Sequence, residues 1–184
     1  MRFVWLAVLA LLLSSSAVLH VARAEDEPAD QESSEEAPDP WLGCWTRSYD
    51  ATHLAKHPKQ AVTALTLSIE SREPSGDSDP GPYGVKLVAK FRDKPDVYGI
   101  PSDGRCVVTG AAKDHLSCVT DGFFLSKFEL EPAAKNMKIV LQGNDEHIAF
   151  VPGVDTASFV LLSGDNPEHS LFLLNPAAAK LCGQ

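Results

Sequence analysis

Two histidines stand four residues apart in the stretch Asp50-Ala51-Thr52-His53-Leu54-Ala55-Lys56-His57. On a helical turn that spacing puts both imidazoles on one side, within reach of a single divalent ion, and Asp50 is available as a third ligand. Such a set would serve a metal-assisted hydrolase. The same segment is short and polar, so exposed loop histidines are the preferred account of His53 and His57. His115, His147 and His169 fall at strand edges or turns, with no partner visible in the sequence. The loops Gly76-Asp77-Ser78-Asp79 and Asn144-Asp145-Glu146 offer oxygen ligands of the kind calcium takes. Neither follows the twelve-residue calcium loop, and turn formation explains them. There is no G-x-S-x-G, no H-E-x-x-H, no phosphate-cradling glycine loop and no dinucleotide fingerprint. No catalytic residue and no cofactor are therefore assigned, and His53 and His57 stand as the weak metal candidates.

Four cysteines are the other reactive groups. If Cys106 and Cys118 face each other across an antiparallel pair, Val108 meets Leu116 and Gly110 meets Asp114, and Ala111, Ala112 and Lys113 form the loop of a hairpin. Directly opposed residues of such a pair lie about 4.5–5.5 Å apart at Cα, which suits a disulfide. Composition alone allows three pairings. The hairpin favours Cys106–Cys118, and elimination leaves Cys44–Cys182, tying the first strand to the tail. With all four oxidised, no thiolate nucleophile remains.

The compartment follows from the first 24 residues. Arg2, an apolar run from Phe3 to Val21 and the A-x-A of Ala22-Arg23-Ala24 read as a signal peptide, so the mature chain is expected to be exported, periplasmic or secreted, and free of the membrane once cleaved. Residues 25–40, EDEPADQESSEEAPDP, hold eight acids, no base and no large apolar side chain, the composition of a disordered acidic leader. The whole chain has 16 bases and 25 acids; removing two bases with the signal and eight acids with the leader leaves 14 against 17, a balance of −3. A nearly neutral body without a basic stripe excludes nucleic acid as a default partner.

Residues 41–184 are long enough for one domain with a real core. Trp41 to Tyr49 reads as a first strand, and Asp50 can cap a helical turn from Ala51 to Lys56 that Pro58 ends. Leu65, Leu67 and Ile69 alternate with Thr66, Ser68 and Glu70, and Tyr83, Val85, Leu87, Ala89 and Phe91 with Lys86 and Lys90; each is a half-buried strand. After the cysteine hairpin, Phe123–Leu130, Met137–Leu141, His147–Val151, Ala157–Leu162 and Leu171–Leu174 follow as short apolar runs separated by Gly, Pro, Asn and Asp. Phe123 with Phe124, and Phe172 with Leu171 and Leu173, place apolar groups on both parities, as in sheets covered on both faces. Asn175-Pro176 through Gly183 carries the cap, proline and glycine of a short C-terminal helix. The expected fold is all-β, an antiparallel barrel or sandwich of about eight to ten strands, with one short helix after the first strand and one at the C-terminus.

The order of these elements, with Gly43-Cys44-Trp45 as a G-x-W on the first strand and a cystine near the end, resembles the lipocalin-like or calycin-like secreted β-barrels. The family's T-D-Y triplet has only a partial counterpart in Thr120-Asp121-Gly122, and its arginine near the last strand is missing. The resemblance implies a Trp45 that closes the bottom of a cavity, whereas on the strand's own pattern Trp45 is a core residue. Trp45, Tyr83, Phe91 and Phe124 are the aromatic residues expected to meet a ligand in such a body. The function these observations favour is a non-catalytic exported binding protein for a small apolar ligand or a protein partner. The alternatives are the hydrolase above and a structural cell-envelope component tethered by its acidic leader.

Overall fold

A computed structural model of the chain describes residues 39–73, 81–121, 125–143, 145–153 and 158–183. The signal, nearly all of the leader, the 76–79 loop, Phe123 and Phe124 lie outside the described residues, and so does Asn144. The folded body is the unit Pro38–Gln184.

The two clean alternations become long strands. β1 (Gly43–Ser48) leads through Asp50 into α1 (Ala51–Lys56), then into β2 (Val62–Ser71) and β3 (Tyr83–Phe91). Leu65, Leu67 and Ile69 are all but fully buried, as are Val85, Leu87 and Ala89. Their period of two puts every one of them on the inner face. β4 (Val97–Gly99) is followed by the cysteine hairpin, β5 (Gly104–Thr109) and β6 (His115–Val119), and then by β7 (Lys127–Ala133), β8 (Asn136–Val140), β9 (His147–Pro152), β10 (Val160–Ser163) and β11 (Leu171–Pro176).

Every pairing is antiparallel. Following hydrogen-bonded neighbours, β3, β2, β1, β11, β8, β7, β6 and β5 return to β3 and close an eight-stranded barrel. One edge of β3 serves two strands in succession. Tyr83, Gly84 and Val85 pair with β5, while Val88, Ala89 and Lys90 pair with β4, from which the sheet continues to β9 and β10. Phe128, Phe150 and Phe172 are fully buried and, with Trp45, Leu67, Leu87 and Met137, belong to one apolar cluster that fills the interior.

Both disulfides have the expected partners. Cys106 sits opposite Cys118, with Cα atoms 4.1 Å apart, and Val108 opposite Leu116. Gly110, at φ +82°, and Lys113 N donating to Gly110 O at 3.1 Å make the loop. Cys44 is bonded to Cys182 across 138 residues.

Three expectations are corrected. Asn175 and Pro176 do not start a helix: they pair with Thr46 and Trp45 at the end of β11, and only a three-residue 3-10 turn, Ala179–Leu181, follows. Strand pairing satisfies Thr46 and carries the chain to Ala177, whose N–H donates to Cys44 O at 2.8 Å, so the tail reaches Cys182 without a second helix. β11 is covered on one face alone, since Phe172 is buried while Leu171 and Leu173 are 54% and 40% exposed. The third concerns extent: β7 begins at Lys127 and β10 at Val160, later than the apolar runs suggested.

Candidate functional site

The α1 end of the barrel gathers the groups with most polar chemistry. Asp50 is extended (φ −76°, ψ 170°) and its Oδ1 accepts from His53 N at 2.7 Å, the bond of an N-cap. Asp50 is therefore engaged in starting α1 and does not stand as a third metal ligand. At the other end of α1, Arg92 Nη2 lies 3.0, 3.1 and 3.2 Å from the carbonyl oxygens of Leu54, His57 and Gln60, tying the end of the helix to the turn that follows it.

This turn stacks its rings. Tyr49 and His53 have centroids 4.7 Å apart, His53 and His57 4.3 Å, and the Arg47 guanidinium lies 5.2 Å from the Tyr49 ring centre. Burial pushes the Tyr49 hydroxyl upward from its ordinary value of 10.0, with Arg47 opposing the shift. His53 Nε2 meets Gln60 Oε1 at 3.0 Å, and Gln60 Nε2 donates to Val62 O. His169 is buried, its Nε2 accepts from Ala61 N at 3.2 Å, and desolvation holds it below the usual imidazole range against the opposing field of Glu168. Tyr49, His53, His57, Gln60, Glu168 and Leu171 line an open cleft of about 330 Å³. Glu168 Oε1 is 4.0 Å from His57 Nδ1, and its Oε2 is buried without a hydrogen-bond partner among the described residues, as is Arg47 Nε.

The aromatic ligand candidates are dispersed. Trp45 is 7% exposed, packed in the core; a side chain at Gly43, whose φ is +149°, would meet its ring at 3.1 Å, so the glycine of G-x-W makes room for the indole. Phe91 is buried edge-on against Tyr98 and Phe150, and it also lines a separate cleft of about 220 Å³ with Ala61, Arg92 and Val160. Tyr83 donates to Asp39 Oδ2 at 2.8 Å, and partial burial together with that carboxylate pushes its hydroxyl up to about 12. Phe124 lies outside the described residues. In the 142–146 turn, Glu146 is buried and its Oε2 accepts from Gln142 N at 2.7 Å, so this acid closes a turn.

A second cluster was invisible to spacing along the chain. His115 on β6 and Glu129 and Glu131 on β7 each bring a ligand atom within 4.8 Å of the others. Among the described residues, this is the set of three metal-ligand side chains that converges; His53, His57 and a carboxylate do not. The signal available in sequence was the E-x-E of Glu129 and Glu131, two acids of one parity, but their histidine lies across a strand pair. His115, left without a partner by the sequence, sits between Asp114 Oδ1 at 2.7 Å from Nδ1 and Glu131 Oε1 at 3.3 Å from Nε2.

Comparison with protein-family models, with curated proteins and with solved structures gives no match.

Proposed function

We propose that this chain is a non-catalytic exported binding protein whose partner is an extended polypeptide segment, docked at the α1 end against Glu168 and Leu171. The observation that carries this reading is the pairing of unmet demands at one place. Glu168 Oε2 is buried with no donor among the described residues, a state worth about 1–3 kcal/mol to relieve. Leu171, on the same cleft, keeps 54% of its surface in water, and Leu173 continues the apolar strip along β11. A turn of the Glu168 side chain, 20% exposed beside the cleft, offers its carboxylate to an amide or cationic N–H of such a segment, and an apolar side chain of the segment covers Leu171, a combination of apolar anchor and polar register common at interfaces.

The apolar-ligand alternative is less well supported. The barrel interior is occupied by its own side chains, Trp45 and Phe91 included. The cleft beside Phe91, about 220 Å³, is smaller than the ~300–1,000 Å³ of ordinary small-molecule sites, and the α1-end cleft, about 330 Å³, is lined mainly by polar and ionisable side chains. Export is supported by the signal-like first 24 residues and by the two disulfides.

The test is crosslinked capture from an extracytoplasmic extract with tag-free wild type, Glu168→Ala and Leu171→Glu as baits. Wild type is expected to hold a discrete polypeptide that both variants lose while their circular dichroism is unchanged. Equal capture by all three, or an apolar molecule retained by the purified protein in native mass spectrometry, overturns the reading.

A further inference from the structure

We propose that His115, Glu129 and Glu131 form a divalent-cation site on the outer face of the barrel, suited to zinc. It is independent of the polypeptide-docking cleft at the α1 end. Strand register builds it. Leu116 pairs with Leu130, both buried inward, so the next residues, His115 and Glu131, point outward side by side. Glu129, two residues back along β7, shares that face and lies opposite Ser117.

The donor set is one imidazole and two carboxylates, which with a solvent position completes four-coordination. The imidazole is already oriented. Asp114 Oδ1, 2.7 Å from Nδ1, takes the proton on that nitrogen and leaves Nε2 facing the carboxylates, the carboxylate–histidine arrangement that supports metal-bound histidines. Nε2 and Glu131 Oε1 are 3.3 Å apart, about the separation of two tetrahedral zinc ligands with bonds of ~2.0–2.1 Å. A rotamer change of the Glu129 side chain, whose Oε2 accepts a long bond from Gln142 Nε2 at 3.4 Å, brings the third atom in.

Charge agrees with this. Among the described residues, Lys138 on β8 pairs with Glu131, its Nζ 3.2 Å from Oε2, and Lys127 stands on the same face of β7 two residues before Glu129; β5 places the neutral Thr109 opposite His115. The Asp114 hydrogen bond raises His115 above its ordinary value, against desolvation and with the glutamates acting in the same sense as Asp114. Lys138 competes with the ion for Glu131.

The test is calorimetric titration of the tag-free, chelator-stripped chain with zinc chloride. One equivalent is expected to bind. His115→Ala and Glu131→Gln should weaken it by about tenfold or more, and Asp114→Asn by about tenfold, the usual cost of losing an outer support. Lys138→Met should tighten it several-fold, a gain that loss of folding cannot mimic. His53→Ala with His57→Ala should leave it unchanged. Absence of binding, binding indifferent to His115→Ala and Lys138→Met, or binding lost with His53 and His57 overturns the site.

Discussion

Two imidazole-bearing regions of the barrel, the α1 end and the β6–β7 face, use the same chemistry to opposite ends. At the α1 end, His53 and His169 direct ring nitrogens to Gln60 and to the Ala61 backbone, Asp50 caps the helix, and Arg92 ties its end to the turn that follows. On the β6–β7 face, His115 turns both nitrogens toward carboxylates, outside the core. The two cystines differ as well: Cys44–Cys182 ties the start of β1 to the tail beyond the 3-10 turn, and Cys106–Cys118 staples a local hairpin. His53 bonds a neighbour seven residues on and His169 one 108 residues away, both inside the fold, whereas pairing of β6 with β7 brings His115 and two glutamates together on the outer face.

That contrast can be broken by experiment. Replacing Cys44 and Cys182 by alanine should cost about 4–5 kcal/mol in the chain-entropy model, against roughly 3 kcal/mol for Cys106 and Cys118, because the loops closed span 138 and 12 residues. Urea unfolding of the two double variants gives the order, and its reversal would show the hairpin to be the main constraint. His169→Ala leaves the Ala61 N–H unpaired in a half-buried place and should cost about 1–3 kcal/mol. His115→Ala should leave the urea midpoint near that of wild type, and a large loss there would erase the distinction between the two regions. Asp50→Ala removes the α1 cap and should cost about 1 kcal/mol by the same measurement.

The smallest effect is in pH dependence. Desolvation keeps His169 below its ordinary 6.5 in the folded state, so as pH falls through that value the unfolded chain takes up protons first and stability declines, levelling below the folded titration. His169→Gln should reduce the drop in unfolding midpoint between pH 7.5 and 5.5. His115 acts in the reverse sense: its raised value favours the folded state in acid, and the contribution fades as pH rises through its folded titration.

The strands that alternate cleanly, β2 and β3, were legible in the sequence because a half-buried sheet imposes its period directly on side-chain type. So was the register of the Cys106–Cys118 hairpin. β4 was not, since a three-residue strand, Val97–Gly99, has no pattern of its own and exists because β3 and β9 flank it. The Asn175-Pro176 signal failed because pairing with β1 outweighed a local capping preference; the proline at a strand's last residue costs no ladder bond within it. Trp45 was read both as a cavity wall and as a core residue, and packing with Gly43 made it the second. The His115 site required knowing that Leu116 faces Leu130, a fact that no periodicity along a single strand contains.

The covalent link between residues 44 and 182 has a mechanical side. Tension applied at those two positions passes through one sulfur–sulfur bond, and the hydrogen-bonded ladders between them carry no load. Only reduction admits force to the barrel, and the chain then released would extend by roughly 450–500 Å at ~3.3–3.6 Å per residue, a step that a single-molecule stretching record in the presence of a thiol would display and one in its absence would lack.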